Sequence, residues 1–500
     1  MVTTTRTQDL ASQLADSSLF RTKGYVNGQW VGASDGLSFT VTNPATGERL
    51  GEMPNMPRSQ IQEAIAAAKT AFPLWAKLTA HQRQGYLLKL FQAMEENVND
   101  LALILTAENG KPFAEAKGEI AYGAGFVSWF AAEAVRAYGH TVPSPFPNTR
   151  NTVIKQPVGV CGLITPWNFP NAMITRKMAP ALAAGCTVVI KAPAETPLSA
   201  LAMCALAERV GIPPGVVNCV TVEKGEREAA CGLELCENVN VSKISFTGST
   251  PVGRLLMKQS SGTLKKLSFE LGGNAAFIVF DDADLDLAIE GVIASKFRAG
   301  GQTCVCANRV FVHAKVYAEF ASRLAKKVEA FKVGNPMAEG TNIGPLVNDR
   351  WVAKVERHVN DAVSRGAKVL VGGSRIQRDD DSCFFQPTVL VDVPKECAIA
   401  SEETFGPLAA LFKFEDEDDV VVRANDSEVG LAGYFYTKDV SRTYRVAEKL
   451  QVGMVAVNTG VIAQTCVPFG GVKQSGFGRE GGKSGIDEYM IEKLITIGGI

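Results

Sequence analysis

Val160-Cys161-Gly162-Leu163-Ile164-Thr165 and Thr187-Val188-Val189-Ile190-Lys191 are two short apolar runs, and each reads as a buried strand. A helix from about 171 to 184 lies between them. Thr196-Pro197 then starts a second helix, with a cap residue followed by proline at the first helical position. It runs to Val210 and stops at Gly211-Ile212-Pro213-Pro214-Gly215. Val216 to Val220 is the next strand and Lys243-Ile244-Ser245-Phe246 the one after. Strands and helices alternating at this spacing predict a parallel, doubly wound sheet, an α/β fold.

Upstream, residues 1 to about 58 read as an irregular arm and short strands, with turn signals at Asn43-Pro44 and Asn55-Met56-Pro57. Ser59 and Gln62 have the spacing of a capping box. Ile61, Ile65, Ala68 and Phe72 follow at helical spacing, and more helix is expected through 81–108 and 111–138. Phe126, Trp129 and Phe130 read as core. Downstream of about 272 the pattern restarts. Ala275 to Phe280 is a strand, and Asp284 to Phe297 a helix. Further strands are expected at Arg309–Val312, Lys368–Val371, Thr388–Leu390 and Leu408–Phe414, with helices at 315–331 and 348–365. These make a second α/β domain. The tail ends in Leu494-Ile495-Thr496-Ile497, a β-type segment suited to an edge, where another subunit is a possible partner.

The composition is that of a globular protein of two or three domains: 500 residues, 46% hydrophobic and 21% charged. With 51 basic against 52 acidic residues the net charge is −1, which gives no reason to expect nucleic acid or an acidic membrane surface as partner. Eleven scattered cysteines without a C-x-x-C pair, and four distant histidines, argue against a local zinc site and for a reducing compartment. The N-terminus has no apolar run of signal-peptide length, and no stretch reaches a membrane span. The expectation is a cytoplasmic protein with no metal.

Four stretches carry chemistry. Phe297-Arg298-Ala299-Gly300-Gly301-Gln302-Thr303-Cys304-Val305-Cys306 holds a cysteine just past a glycine-rich bend, where a thiolate can act as nucleophile. Phe246-Thr247-Gly248-Ser249-Thr250-Pro251-Val252-Gly253 takes a strand through a glycine turn into a helix, whose N-terminus suits a pyrophosphate. It is neither G-x-G-x-x-G nor a Walker loop. In Ser268-Phe269-Glu270-Leu271-Gly272-Gly273-Asn274 a carboxylate follows an apolar strand, as a general base in a cleft would. In Thr165-Pro166-Trp167-Asn168-Phe169-Pro170 two prolines fix a loop around an amide that can donate to an oxyanion.

With Glu403-Thr404-Phe405-Gly406-Pro407 and Pro468-Phe469-Gly470-Gly471-Val472-Lys473 also in register, the chain closely resembles the aldehyde dehydrogenase superfamily over nearly its whole length. The resemblance implies a Rossmann-type cofactor domain (1–139 and 158–271), an α/β catalytic domain with the nucleophilic cysteine (272–479), and a small β oligomerisation element (140–157 and 480–500). It implies Cys304 as nucleophile, Asn168 and the Cys304 N–H as oxyanion donors, and Glu270 as activator of the hydrolytic water. It also implies cofactor contacts from Thr165, Pro166, Trp167, Lys191, Ala194, Gly248, Ser249, Leu271, Glu403 and Phe405, with Lys177 lining the site, and a dimer or a homotetramer built as a dimer of dimers.

Substrate and cofactor choice follow from departures within that resemblance. Members acting on apolar aldehydes carry aromatics where this chain has Arg176 and Arg298. Two guanidinium groups ask for a carboxylated aldehyde. Both positions resemble the succinate-semialdehyde dehydrogenase branch. Ala463 stands where relatives often have a serine ligand, which leaves glutarate semialdehyde as an alternative substrate. Ala194 replaces the glutamate of NAD-preferring relatives, so NADP is expected alongside NAD, with Lys191 near the 2′-phosphate. Cys306 is a possible redox partner of Cys304. A CoA-acylating enzyme is disfavoured by Glu270, and a non-catalytic relative by the intact Cys304, Glu270 and Asn168.

Overall fold

Val160–Ile164 is buried at every position and has a parallel neighbour on each side, Thr187–Lys191 and Val241–Thr247. The computed structural model describes residues 10–377 and 382–500. Beyond these neighbours the sheet continues, still parallel, through Val217–Val220 on one side and Lys266–Glu270 on the other. Short antiparallel strands close it: Gly24–Val26 and Gln29–Val31 at one edge, Gly476–Phe477 at the other. Successive side chains of a strand point to opposite faces. Cys161, Leu163, Val188 and Ile190 therefore meet the helices Ala172–Ala184 and Pro197–Arg209. Val160, Ile164 and Val189 meet Arg58–Lys77 and Glu226–Glu237 on the other face.

A second sheet has the order Lys368–Val371, Thr388–Val391, Leu408–Phe414, Ala307–His313, Ala275–Val279, Ala432–Tyr436, Met454–Val457. All its pairs are parallel except the first. Its two faces bury separate clusters, Phe277, Val279 and Val310 on one side, Ile278, Phe280 and Phe311 on the other. The terminal strand Met490–Gly498 pairs antiparallel with Thr149–Pro157 of the same chain, from Met490↔Pro157 to Gly498↔Thr149, and His140–Val142 lies beyond. The tail's edge partner is thus intrachain.

Three local expectations change. Ser59 does not cap: Pro57 holds the N-cap of Arg58–Lys77, and the Gln62 amide donates to Glu234 instead. The capping box belongs to the next helix, between Thr79 and Gln82. The helical stretch 81–108 divides into Ala80–Glu96 and Val98–Asn109 at Asn97, which leaves the α region. Thr196 does precede the helix Pro197–Arg209, but the buried Glu108 carboxylate accepts from its first N–H groups, Leu198 at 2.7 Å and Ser199 at 2.8 Å. Phe126 and Phe130 are fully buried, as core.

Candidate active site

The segments that carry Asn168, Glu270, Cys304 and Glu403 meet one another. The helix Leu285–Val292 loosens into a π turn, Ile293–Phe297, and then a tight turn through Arg298–Gly301. π turns recur at functional sites because they re-aim the residues after them. Ala299, Gly300 and Gly301 all have positive φ, at 52°, 60° and 75°. Gly301 has no alternative: a Cβ there would run into the Gly406 carbonyl, and φ is in the left-handed region besides. The cysteine loop thus packs directly on the Glu403–Pro407 segment. Gly273 closes the other side, since a Cβ there would meet the Cys304 carbonyl.

Cys304 is half-buried, and burial first, then the Glu403 carboxylate, push its thiol up to about 12. Its backbone N–H has no hydrogen-bond partner among the described residues. Asn168, buried in the loop after Val160–Ile164, donates one amide N–H to the Gln302 carbonyl at 2.9 Å. That bond ties the proline-bounded loop to the cysteine loop and leaves the second amide N–H for a ligand. Gln302 is itself fixed, donating to the Ala299 carbonyl at 3.1 Å and accepting from the Val347 N–H at 3.0 Å.

Glu270 ends the strand Lys266–Glu270, buried, with one carboxylate oxygen unpartnered among the described residues. Burial, then the like charge of Glu480, hold its pKa well above the usual carboxylate range. Sequence reading missed Glu480. It follows the Pro468–Lys473 motif by a few residues in an isolated bridge with Phe469, and no period or spacing marks a buried glutamate there. It is the hub of the charge arrangement. Lys177 donates to it, and Arg176 Nε lies 2.8 Å from its other oxygen, off the hydrogen-bonding direction. The Arg176 guanidinium sits between the rings of Phe469 at 4.2 Å and Phe126 at 5.1 Å. Its Nη2 is buried without a partner among the described residues.

Arg298 is exposed, lies over the Phe169 ring at 5.7 Å, and has no ion-pair partner among the described residues. The two arginines therefore differ: Arg176 is half engaged by the protein, Arg298 is not. Ala463 is half-buried against the same apolar cluster as Cys304. Cys306 points away from Cys304: its Sγ lies 2.7 Å from Thr303 Oγ1 and 3.2 Å from the Gly301 carbonyl. Neither Cys304 nor Cys306 is in a disulfide.

On the cofactor side, the carboxyl ends of parallel strands form the crevice where dinucleotides bind in such sheets. Buried Thr165 Oγ1 and Thr247 Oγ1 are unpartnered there among the described residues. The helix Thr250–Ser260 starts with exposed Ser249, whose side chain caps nothing, after Gly248. Free N–H groups and a positive helix end at that point fit a pyrophosphate. Leu271 packs on Gly253 of that helix. Pro166 and Trp167 are half-buried, and the Trp167 ring meets Phe405 at 5.5 Å and Trp351 at 5.6 Å. Phe405 is held at φ 59°, a strained conformation that aims its ring into this cluster. Glu403 accepts from the Gly273 N–H at 3.2 Å, and burial pushes its carboxyl up to about 7.

Lys191 departs from expectation. It is buried and paired with Glu228, and is not a free cation for a phosphate. Glu195 is likewise paired, with Lys224. Half-buried Ala194 leaves the position between them without a carboxylate.

A cysteine on a glycine-shaped loop, an amide beside it, a buried glutamate behind it and a dinucleotide crevice along the strand ends define a class of enzyme. The aldehyde dehydrogenase family model matches residues 30–495, and the chain belongs to that family. The glutarate-semialdehyde dehydrogenase of Pseudomonas putida is 56% identical over 97% of this chain and 99% of its own length. The succinate-semialdehyde dehydrogenase [NADP(+)] of Escherichia coli is 53% identical over 97% of this chain and all of its own. A crystal structure of succinate-semialdehyde dehydrogenase from Burkholderia pseudomallei superposes with a TM-score of 0.95 at 52% identity, covering 97% of this chain and 100% of that one.

Proposed function

We propose that the protein oxidises succinate semialdehyde to succinate, with NADP or NAD as the acceptor. The observation that carries the substrate is a charge imbalance. Arg176 and Lys177 share one carboxylate, Glu480, and Arg298 has none among the described residues. Glu270 also acts on Arg176 and Lys177, and its raised pKa favours its uncharged form. A buried cation such as Arg176 needs an anion, and exposed Arg298 can pair with the same one. A carboxylate at the far end of the aldehyde supplies it, and places the carbonyl at Cys304.

The chemistry is assigned to this chain's residues as follows. The Cys304 thiolate adds to the carbonyl carbon, and the oxygen becomes an oxyanion held by the free Asn168 N–H and the Cys304 N–H. The nicotinamide, when bound, supplies the hydride acceptor. The resulting thioester on Cys304 is cleaved by a water whose proton passes to Glu270 as its oxygen bonds to the acyl carbon; the C–S bond breaks, releasing the acid and the Cys304 thiolate. Glu403 and Phe405 would hold the nicotinamide end of the cofactor, and the Ser249 helix end its phosphates.

The wild-type protein is expected to favour succinate semialdehyde over butyraldehyde about a hundredfold in kcat/KM, roughly 2.7 kcal/mol. Equal rates would remove the carboxylate reading and leave the dehydrogenase. Glutarate semialdehyde is the second reading. Ala463 offers no side-chain ligand where a longer substrate would need room, and a relative of that name is 56% identical. Comparing the two semialdehydes in the same assay decides between them.

For the cofactor, Ala194 leaves a 2′-phosphate unopposed, and the E. coli relative's name carries NADP. Ala194→Glu is expected to lower the NADP/NAD ratio of kcat/KM by about tenfold through like-charge repulsion. A ratio that does not move would place the 2′-phosphate elsewhere. The assembly is proposed as a homotetramer. Ile491, Leu494, Ile495 and Ile497 are exposed along the outer strand of the small sheet, and such an edge invites a second copy. Among the described residues no helix is long and apolar enough to cross a membrane, and the free cysteines suit the cytoplasm.

A further inference from the structure

We propose that Tyr122 is a specificity-determining residue whose phenol donates a hydrogen bond to the distal carboxylate of the substrate, in the region where Ala463 offers none. The inference rests on the carboxylated-aldehyde reading above. Tyr122 lies on the helix Phe113–Ala134, one turn before Phe126, and the two rings meet edge to face at 4.8 Å. Phe126 carries the Arg176 guanidinium on its face. One wall thus holds a phenol, a ring and a guanidinium in succession. Gly125, between them in sequence, packs on Thr465 of the loop that carries Ala463, with a Cβ there 3.1 Å from the threonine methyl.

The ring of Tyr122 is half-buried, but its hydroxyl oxygen is fully buried and has no hydrogen-bond partner among the described residues. Such a group is costly to keep, and a phenylalanine would fill the same space without it. The charges that act on it are Arg176 and Arg298, then Glu480 and Cys304. The hydroxyl therefore stands among the groups proposed to read the carboxylate, on the same side as the reacting sulfur. Burial keeps the phenol protonated, so it faces the substrate as a donor. A neutral donor beside two cations suits a carboxylate, which accepts about four hydrogen bonds through its two oxygens. An apolar aldehyde gains nothing from it.

The test is Tyr122→Phe, assayed with succinate semialdehyde and butyraldehyde beside the wild type. The kcat/KM ratio of the two aldehydes is expected to fall about tenfold, through KM for the semialdehyde and not through kcat. The inhibition constant of succinate should rise in step. Adding Ala463→Ser to Tyr122→Phe returns a hydroxyl from the facing loop, and most of the lost affinity should return with it. If the wild type discriminates between the aldehydes but Tyr122→Phe keeps the same ratio and the same succinate inhibition, Tyr122 is no ligand and only this proposal falls. If the wild type does not discriminate at all, the carboxylate reading falls first and this one with it. A loss spread equally over both aldehydes, with a lower Tm, would make Tyr122 a packing residue.

Discussion

Glu270→Gln is expected to lower steady-state turnover about a thousandfold while leaving one equivalent of cofactor reduced per active site. General bases contribute about 10² to 10⁴, and this carboxylate is assigned only to the step after hydride has left. Glutamine keeps the shape and the burial, and removes only the ability to take a proton. The first half of the reaction uses Cys304, the Asn168 amide and the Cys304 N–H, none of which the substitution touches. Stopped-flow absorbance of the reduced cofactor separates the halves. A burst followed by a stall is the expected trace. Turnover within tenfold of wild type would remove Glu270 from the hydrolytic step, and loss of the burst would move it to the first half.

The same carboxylate sets a pH dependence. Only its ionised form takes a proton from water, and burial with Glu480 nearby holds its pKa above the usual carboxylate range. Deacylation should therefore rise as pH increases through that raised pKa, and the limb should vanish in Glu270→Gln. Thiolate formation at Cys304 also favours high pH, since burial pushes that thiol up to about 12. It acts on the burst rate, so the two limbs are read from different phases of one trace.

Arg298→Leu is the second large effect. Leucine keeps part of the apolar stem and removes the charge. Among the described residues Arg298 makes no ion pair within salt-bridge distance, and its charge reaches the buried Glu115 carboxylate, held by the Ala299 N–H, only from farther away. Its cost should therefore fall on the substrate. A loss of about a hundredfold in kcat/KM for succinate semialdehyde, about 2.7 kcal/mol, is expected, with Tm close to wild type. An equal loss with butyraldehyde would assign Arg298 to the loop and not to the carboxylate. Arg176 gives a less direct experiment. Removing it empties a stack between Phe126 and Phe469 and takes one of two cations from Glu480. Stability and substrate binding would then move together.

These experiments rest on features that were legible to different degrees. The parallel sheet around Val160–Ile164 could be read from the chain because a strand buried on both faces leaves an unbroken apolar run, and the intervening helices have their own starts and stops. The turn residues of the cysteine loop were legible for a related reason, since glycine marks where a backbone must adopt positive φ or touch another backbone. Short-range rules misled where a distant partner outbid them. Gln62 turned to Glu234 rather than to Ser59, and Glu108 capped the helix that Thr196 opens.

Cys304, Glu270, Asn168, Arg176 and Arg298 could all be named from the sequence, because its motifs resemble those of a family and chemistry restricts which residue types can serve. Their charge states could not. Whether an arginine reads a substrate or balances a neighbour depends on what is folded against it, and Glu480 enters the site from a bridge with Phe469, 303 residues along the chain from Lys177. Lys191 looked free for a phosphate and is held by Glu228. Nothing in the sequence marks Tyr122, and only packing left its hydroxyl buried and unmatched. The sequence by itself determined the sheet and the turns, since these depend on local backbone conformation, and it nominated the reacting groups through its family resemblance. The tertiary structure alone decided which charges are paired and which are left for a ligand, because pairing and desolvation are properties of contacts between segments far apart in the chain.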